Sequence, residues 1–442
     1  MNAGRFHRRL GIFAVIAVLF MLLVTGADRN FHLTKNKKLT VGLFSDSYWG
    51  VQNGYAYQIL EDAISRFHET WPDVEVTYES GIVLEDYSEW LAEKILSHDA
   101  PDVFVVLLDD RNNLAEIGTL EPLSSYAEYD ESFHASDYYD AAYQTGVIGS
   151  ELYTLPFECA PKLMFVNKTI LNNEGISMPE LDWTWDDFLE ICVKATKDTN
   201  GNGAIDQYGA SGYTWKDAAD SNGIRLFDEK GTACYFNSEE MEQVLLFFDK
   251  LEQALSGNRE KEPDFEKGNV VFEPMYFSEY RSFKSNELSG IRYSDFSWDC
   301  VPMPAGPSAD TLSVLDTLSF GMSASSENKQ LSWELIKCLT YDPQIQSEIF
   351  IYSDGISALR AVTESRETAD RLEQQSGGAV NPAVMKYVME HAGTEPHFRQ
   401  YEEAVQEAGR SVDIILKESF SIQMEQVIQN RRLNQYMQSL GN

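Results

Sequence analysis

Residues 101–108 read PDVFVVLL, and from Val103 onward every position is apolar. A half-exposed strand alternates apolar with polar, whereas an unbroken run of this length suits a strand covered on both faces. Two similar units precede it. KLTVGLFS (38–45) reads as a strand. The next segment places Leu60, Ala63, Ile64 and Phe67 on one helical face before Trp71-Pro72 ends it. VEVTYES (74–80) is a second strand, followed by a helix at about 85–97. Strand, helix, strand, helix, strand with short links predicts a parallel α/β sheet. Ligands of such open sheets gather at the carboxyl ends of the strands. Those ends here are Asp46-Ser47-Tyr48-Trp49 and Asp109-Asp110.

At 442 residues the chain exceeds what one small core accommodates, so two domains are expected. LYTLPFECAPKLMFVNKTIL (152–171) reads as two extended runs around Pro156 and Pro161. WTWDDFLEICVKAT (183–196) predicts a helix with Thr184 at its N-cap and Asp187 three residues on, an acidic variant of the capping box. Met241, Val244, Leu245, Phe248, Leu251 and Leu255 share a face of another helix. Residues 269–277, 298–304 and 318–325 are strand-like, 328–340 predicts a helix, 370–380 a loop, and the tail from about 396 is helical.

The formal net charge of −35 disfavours nucleic acid and anionic membrane surfaces, and no basic stripe reverses it locally. Five widely spaced cysteines include no pair at metal-binding spacing, and an odd number cannot form a fully paired disulfide framework. No HExxH, G-x-S-x-G, P-loop or post-strand GxGxxG occurs, so the sequence carries no signature of a familiar catalytic class. At the N-terminus, Arg5, Arg8 and Arg9 precede an apolar run from Leu10 to Val24 and small residues at Thr25-Gly26-Ala27. Residues 1–27 thus read as an export signal, cleaved or retained as a membrane anchor. No cysteine follows the run, so lipid attachment there has no acceptor. Either way the rest of the chain is expected outside the cell or at its surface.

KDTNGNGAIDQYG (197–209) resembles a calcium loop. Asp198, Asn200, Asn202 and Asp206 take the first, third, fifth and ninth places, and Gly203 stands at the turn. The twelfth place, which should supply a bidentate Glu, holds Gly209.

Several blocks, in order, carry a wider likeness: PDVFVVLLDD…NLAEIGTLEPLSSY, YTLPFECAPKLMFVNKTILNNEGI, WTWDDFLEICVKATKDTNGNGAIDQYG, WDCVPMPAGP and FGMSASSENKQLSWELIKCLT. Together they resemble the extracellular solute-binding proteins of carbohydrate ABC importers, a group that includes maltose-binding protein. The resemblance covers roughly residues 39–365, with the C-terminal tail matching only loosely. It implies a two-lobed periplasmic-binding-protein fold of class α/β. Crossing segments are expected near 155–157, 296–299 and 326–329. Lobe one would comprise 38–155 plus 298–326, and lobe two 156–297 plus 327–442. Hinge closure on a ligand between the lobes follows.

The implied function is binding without catalysis: capture of a sugar or oligosaccharide and its delivery to an ABC importer permease, by a monomer. A sugar site needs aromatic plates and carboxylates that accept from hydroxyls. Asp46 and Asp109 match the family's strand-end acids, with Tyr48 and Trp49 beside the first. Asp110 stands where the maltose binder has Arg, which implies a different hydroxyl pattern. Glu158 lies near the family's crossing-strand carboxylate, offset by two residues. Tyr213 and Trp215 follow the D-x-Y-G turn, where lobe two presents an aromatic. Tyr276, Phe277 and Tyr280 occupy a stretch that departs from the family's Gly-x-Trp. The loop at 197–209 becomes a family-typical turn. Its two carboxylates, two amide oxygens and the Ala204 carbonyl would still admit a structural calcium; the other expectation is a metal-free loop rich in Asx turns. Two rival functions stay open, a membrane-anchored sugar sensor and a secreted glycoside-active enzyme, and a cationic ligand such as a polyamine would suit the acidity.

Overall fold

The computed structural model describes residues 37–46, 48, 57–279, 281, 296–309, 312–376, 381–396, 398–418 and 421–440. Residues 1–27, expected to be an export signal or anchor, lie outside the described residues, as do Trp49 and Tyr280.

Strand β1 (Lys37–Gly42) pairs in parallel with β2 (Val74–Tyr78) and with β3 (Val103–Val106), as the βαβ pattern requires. Helix α1 (Gln58–Thr70) and α2 (Leu84–Leu96) make the two crossovers. All four residues of β3 are buried, in keeping with its unbroken apolar sequence. Helix α3 (Leu108–Glu116) starts directly after β3.

β4 (Thr154–Asn167) is one continuous 14-residue strand, not two runs. Prolines have no N–H to give a ladder, yet Pro156 and Pro161 are accommodated. Pro156 lies beside a register shift at Leu318/Ser319 in β8 (Ser313–Met322). The partners of β4 change along its length. Thr154–Pro161 pair with β8; Lys162–Val166 pair with β6 (Val270–Tyr276), and Met164–Asn167 also with β7 (Trp298–Val301). β5 (Tyr208–Ala210) extends the second half in parallel with β6. The main sheet therefore runs β2-β1-β3-β8-β4-β6-β5, with β4 common to both ends.

Two apolar clusters flank that strand. One gathers Leu39, Val41, Phe104, Val105, Leu315 and Phe320 with α1 and extends past the crossing to Phe165 and Val270. The other gathers Met164, Val166 and Phe272 with α4 (Trp185–Ala195), α6 (Glu239–Leu255) and α10 (Tyr401–Glu418). α5 (Trp215–Ser221) and α11 (Ile422–Leu440) cover the second cluster. The capping box on α4 is present, with Thr184 and Asp187 bonded reciprocally. Each fully buried Leu or Phe contributes about 1.5–3 kcal/mol, so two such clusters hold two halves.

The expected boundaries shift. Helices α7 (Lys329–Thr340), α8 (Pro343–Tyr352) and α9 (Pro382–Glu390) were expected in lobe two, but Leu331–Met389 contribute to the first cluster. The reason is packing: α7 and α8 lay apolar faces on α1. The crossings also move. β4 changes partners at Pro161–Lys162, and a short strand at Ala392–Gly393 lies parallel to Ser313–Val314. The Ser313 hydroxyl accepts from the Lys162 N–H (3.1 Å) and donates to the Lys162 carbonyl (2.9 Å). Three crossing stretches thus run side by side there rather than at 155–157, 296–299 and 326–329. Gln374 to Ser376, expected in a loop, complete a helix that begins at Arg366.

Candidate functional site

The described side chains of highest chemical content collect beside this crossing, from both halves. From the first half, the Tyr48 hydroxyl donates to Asp316 Oδ1 at 3.2 Å. Asp316 is the lone acid in the otherwise uncharged strand β8, and its own next residue, Thr317, donates its N–H to the same oxygen at 2.7 Å. Burial, together with Glu395 and Asp109 nearby, pushes the Asp316 carboxyl up to about 6. Burial and Asp316 likewise raise the Tyr48 phenol well above its ordinary value.

From the second half, Lys162 on β4 lies opposite Tyr276 on β6, with its Nζ 5.5 Å from the ring centre. It is ion-paired with Asp217, whose side chain is almost wholly buried. Asp217 also closes a capping box on α5 by accepting from the Thr214 N–H (2.8 Å) and hydroxyl (2.7 Å). The adjacent Lys216 bridges Asp220 and Glu395. Two carboxylates thus share one ammonium. Burial raises Asp220 while Lys216 opposes it, and the two acids hold Lys216 protonated. Tyr401, buried at the start of α10, donates to Glu395, and Glu402 and Glu403 follow it.

The sequence-expected residues divide. Tyr48 and Tyr276 stand at Asp316 and Lys162. Asp109, in the first turn of α3, is raised by partial burial and then by Asp110 and Glu403, which places it within electrostatic reach of the second half. Asp110 accepts from the Ser88 hydroxyl at 2.5 Å. Asp46 accepts from the Leu84 N–H at 2.6 Å, so it satisfies a free donor at the start of α2. Glu158 is buried and accepts from the Ser353 hydroxyl. It lines a mostly apolar cavity of about 80 Å³ with Tyr48, Phe157 and Tyr352. Asp46 lines the same cavity.

Two aromatics do not join the group. Tyr213 is 7% exposed and packs on Phe188 and Phe247 in the second cluster. Phe277 is fully buried in the first cluster. Both are consumed as core. Trp215 is half-buried at the start of α5, against Gly409 of α10. Lys162, Asp217, Lys216, Asp316, Glu395 and Tyr401 were missed. A signal existed for two of them: Asp316 in SVLDTLSF and Lys162 in CAPKLMFV are single charges inside apolar strands, where a charge is costly unless paired or functional.

In the 197–209 loop, Asp198 accepts from the N–H groups of Asn200, Gly201, Asn202 and Gly203 at 2.6–3.3 Å. Asp206 accepts from Thr199 and from the Asn200 amide, and Asn202 Oδ1 accepts from the Ala204 N–H. Glu260, from outside the loop, accepts from the amides of Asn200 (2.7 Å) and Asn202 (2.6 Å). Among the described residues no cluster of three or more His, Cys, Asp or Glu is arranged to hold a metal ion. The loop's acceptors are engaged by its own donors, as Asx turns do.

Both the sequence and the fold have counterparts among known proteins. The family model described as bacterial extracellular solute-binding protein matches residues 51–344. A lipoprotein of uncharacterised role from Streptomyces antibioticus is 25% identical over 275 residues, 58% of this chain; the match spans 57% of that relative's length. The fold is similar to that of the cyclic alpha-maltosyl-1,6-maltose binding protein of Arthrobacter globiformis (TM-score 0.72, 16% identity, 92% of this chain and 100% of that one). It is also similar to the sugar-binding protein MalE of Xanthomonas citri (TM-score 0.71, 18% identity, 91% and 98%).

Proposed function

The chain belongs to the bacterial extracellular solute-binding proteins, and from that premise we propose that it captures a sugar or oligosaccharide between its halves and hands it to the permease of an ABC importer. Members of this family bind solutes and are not enzymes. One observation carries the reading. At the crossing of the two halves, carboxylates and tyrosines from both converge: Tyr48, Asp316 and Asp109 on one side, Tyr276, Asp217 and Glu395 on the other. Phenol rings offer a face to sugar C–H groups, and carboxylates accept from hydroxyls. Closure about Pro161–Lys162, Ser313–Val314 and Ala392–Gly393 would bring the two sets onto one ligand.

The protein works as a monomer at the cell surface in this reading, with residues 1–27 as export signal or anchor. Calcium in the 198–206 loop is a proposal of its own, in which Glu260 supplies the acid that Gly209 lacks.

The test is a thermal-shift screen against mono- and oligosaccharides, run with calcium and with a chelator. A saccharide at a hundred times its Kd should stabilise by about 2.7 kcal/mol. A shift with a peptide and with no saccharide would refute the sugar reading. An unchanged melting point on calcium addition would refute the metal.

A further inference from the structure

The charge balance around the crossing names a ligand class within the sugar reading, on which the following rests. Two lysines stand among the described groups there, and both are engaged. Lys162 holds Asp217, and Lys216 holds Asp220 and Glu395. Asp316 differs. Its two hydrogen-bond donors, the Tyr48 hydroxyl and the Thr317 N–H, both point to Oδ1. Among the described residues no donor meets Oδ2, and no Lys, Arg or His pairs with the carboxylate. Asp109 likewise has no cationic partner among the described residues, although Asp109 and Glu395 both act on Asp316 through space. A neutral hydroxyl would give Oδ2 a hydrogen bond but leave this repulsion in place. An ammonium would supply the hydrogen bond and cancel the charge together, and the nearby rings of Tyr48 and Tyr276 are surfaces that attract a cation as well as a sugar face.

We propose that the ligand is an amino sugar whose protonated amine binds Asp316 Oδ2. The acetylated form of the same sugar has the same ring but no charge, and it is the matched control.

The experiment is calorimetric titration of the full-length protein, in detergent for its apolar leader, with short glucosamine oligomers and with their N-acetylated counterparts, at low and high salt. Glucosamine oligomers are expected to bind at least about tenfold more tightly, a preference that weakens with salt. Asp316→Asn keeps the acceptor for Tyr48 and Thr317 and should abolish the preference while the acetylated oligomers still bind. Asp109→Asn, in the first turn of α3, should reduce the preference by a smaller factor, so the idea stays testable if Asp316→Asn folds poorly. Acetylated or neutral oligosaccharides binding as tightly as the amines, with the ratio unmoved by Asp316→Asn, would overturn the amine and leave the sugar reading standing. Spermidine binding in the absence of any saccharide binding would keep the Asp316–ammonium contact and overturn the sugar. Binding of none of these would overturn both.

Discussion

Asp316 shows what a buried carboxylate costs the fold. Its carboxyl rises from 3.8 to about 6 because burial, Glu395 and Asp109 disfavour the charge. Its ionised form is therefore the costly one in the folded state. The stability linked to it is complete below about pH 4 and is lost as the pH climbs through about 6. Asp316→Asn should then raise stability at pH 8 by about 1–2 kcal/mol, after allowance for solvent reaching the gap, and by nothing near pH 3. Paired thermal melts at the two pH values check this; equal melting-point changes at both would contradict it. Strand-end logic found Tyr48 and Asp109 because the carboxyl ends of parallel strands are fixed by topology. It could not tell Tyr213 from Tyr276. Both are tyrosines near turns, and only packing decides that the first lies among Phe188 and Phe247 while the second meets Lys162.

At the scale of elements, local chemistry was readable wherever it closed on itself. The Thr184–Asp187 box is a four-residue pattern, and the structure carries it out. The same holds for the turn at 198–206, whose Asp and Asn side chains bond to N–H groups only a few residues away. The twelfth place of that loop is different. Gly209 lies in β5, and a Cβ there would collide with the backbone and side chain of Cys192 in α4. Strand and helix approach so closely that no larger side chain fits, which is why a Glu cannot stand there. Gly209→Ala should cost about 2–3 kcal/mol by overpacking, seen as a lower urea midpoint with an unchanged slope. A variant as stable as the parent would show that the helix can yield. The proline-containing run at 152–171 was misread for the opposite reason. Two prolines look like breaks locally, yet the strand passes through both because its neighbours, not its own propensity, sustain it.

The whole molecule is two apolar cores sharing one long strand, with its candidate site where that strand changes partners. Saturating saccharide should reduce the radius of gyration in solution scattering, as the halves turn about the three adjacent crossing stretches. Ligand binding with an unchanged radius would contradict closure. By itself the sequence determined the α/β class, the parallel opening unit, most helices and the family, because these rest on short-range periodicity and on ordered local blocks. The tertiary structure alone decided that 331–389 pack with the first core, that the crossings meet at Pro161–Lys162, Ser313–Val314 and Ala392–Gly393, and that Asp316, Lys162 and Glu395 come together. Those facts join segments that lie far apart along the chain. Burial and through-space charge act over ångströms, and separation along the chain does not encode them.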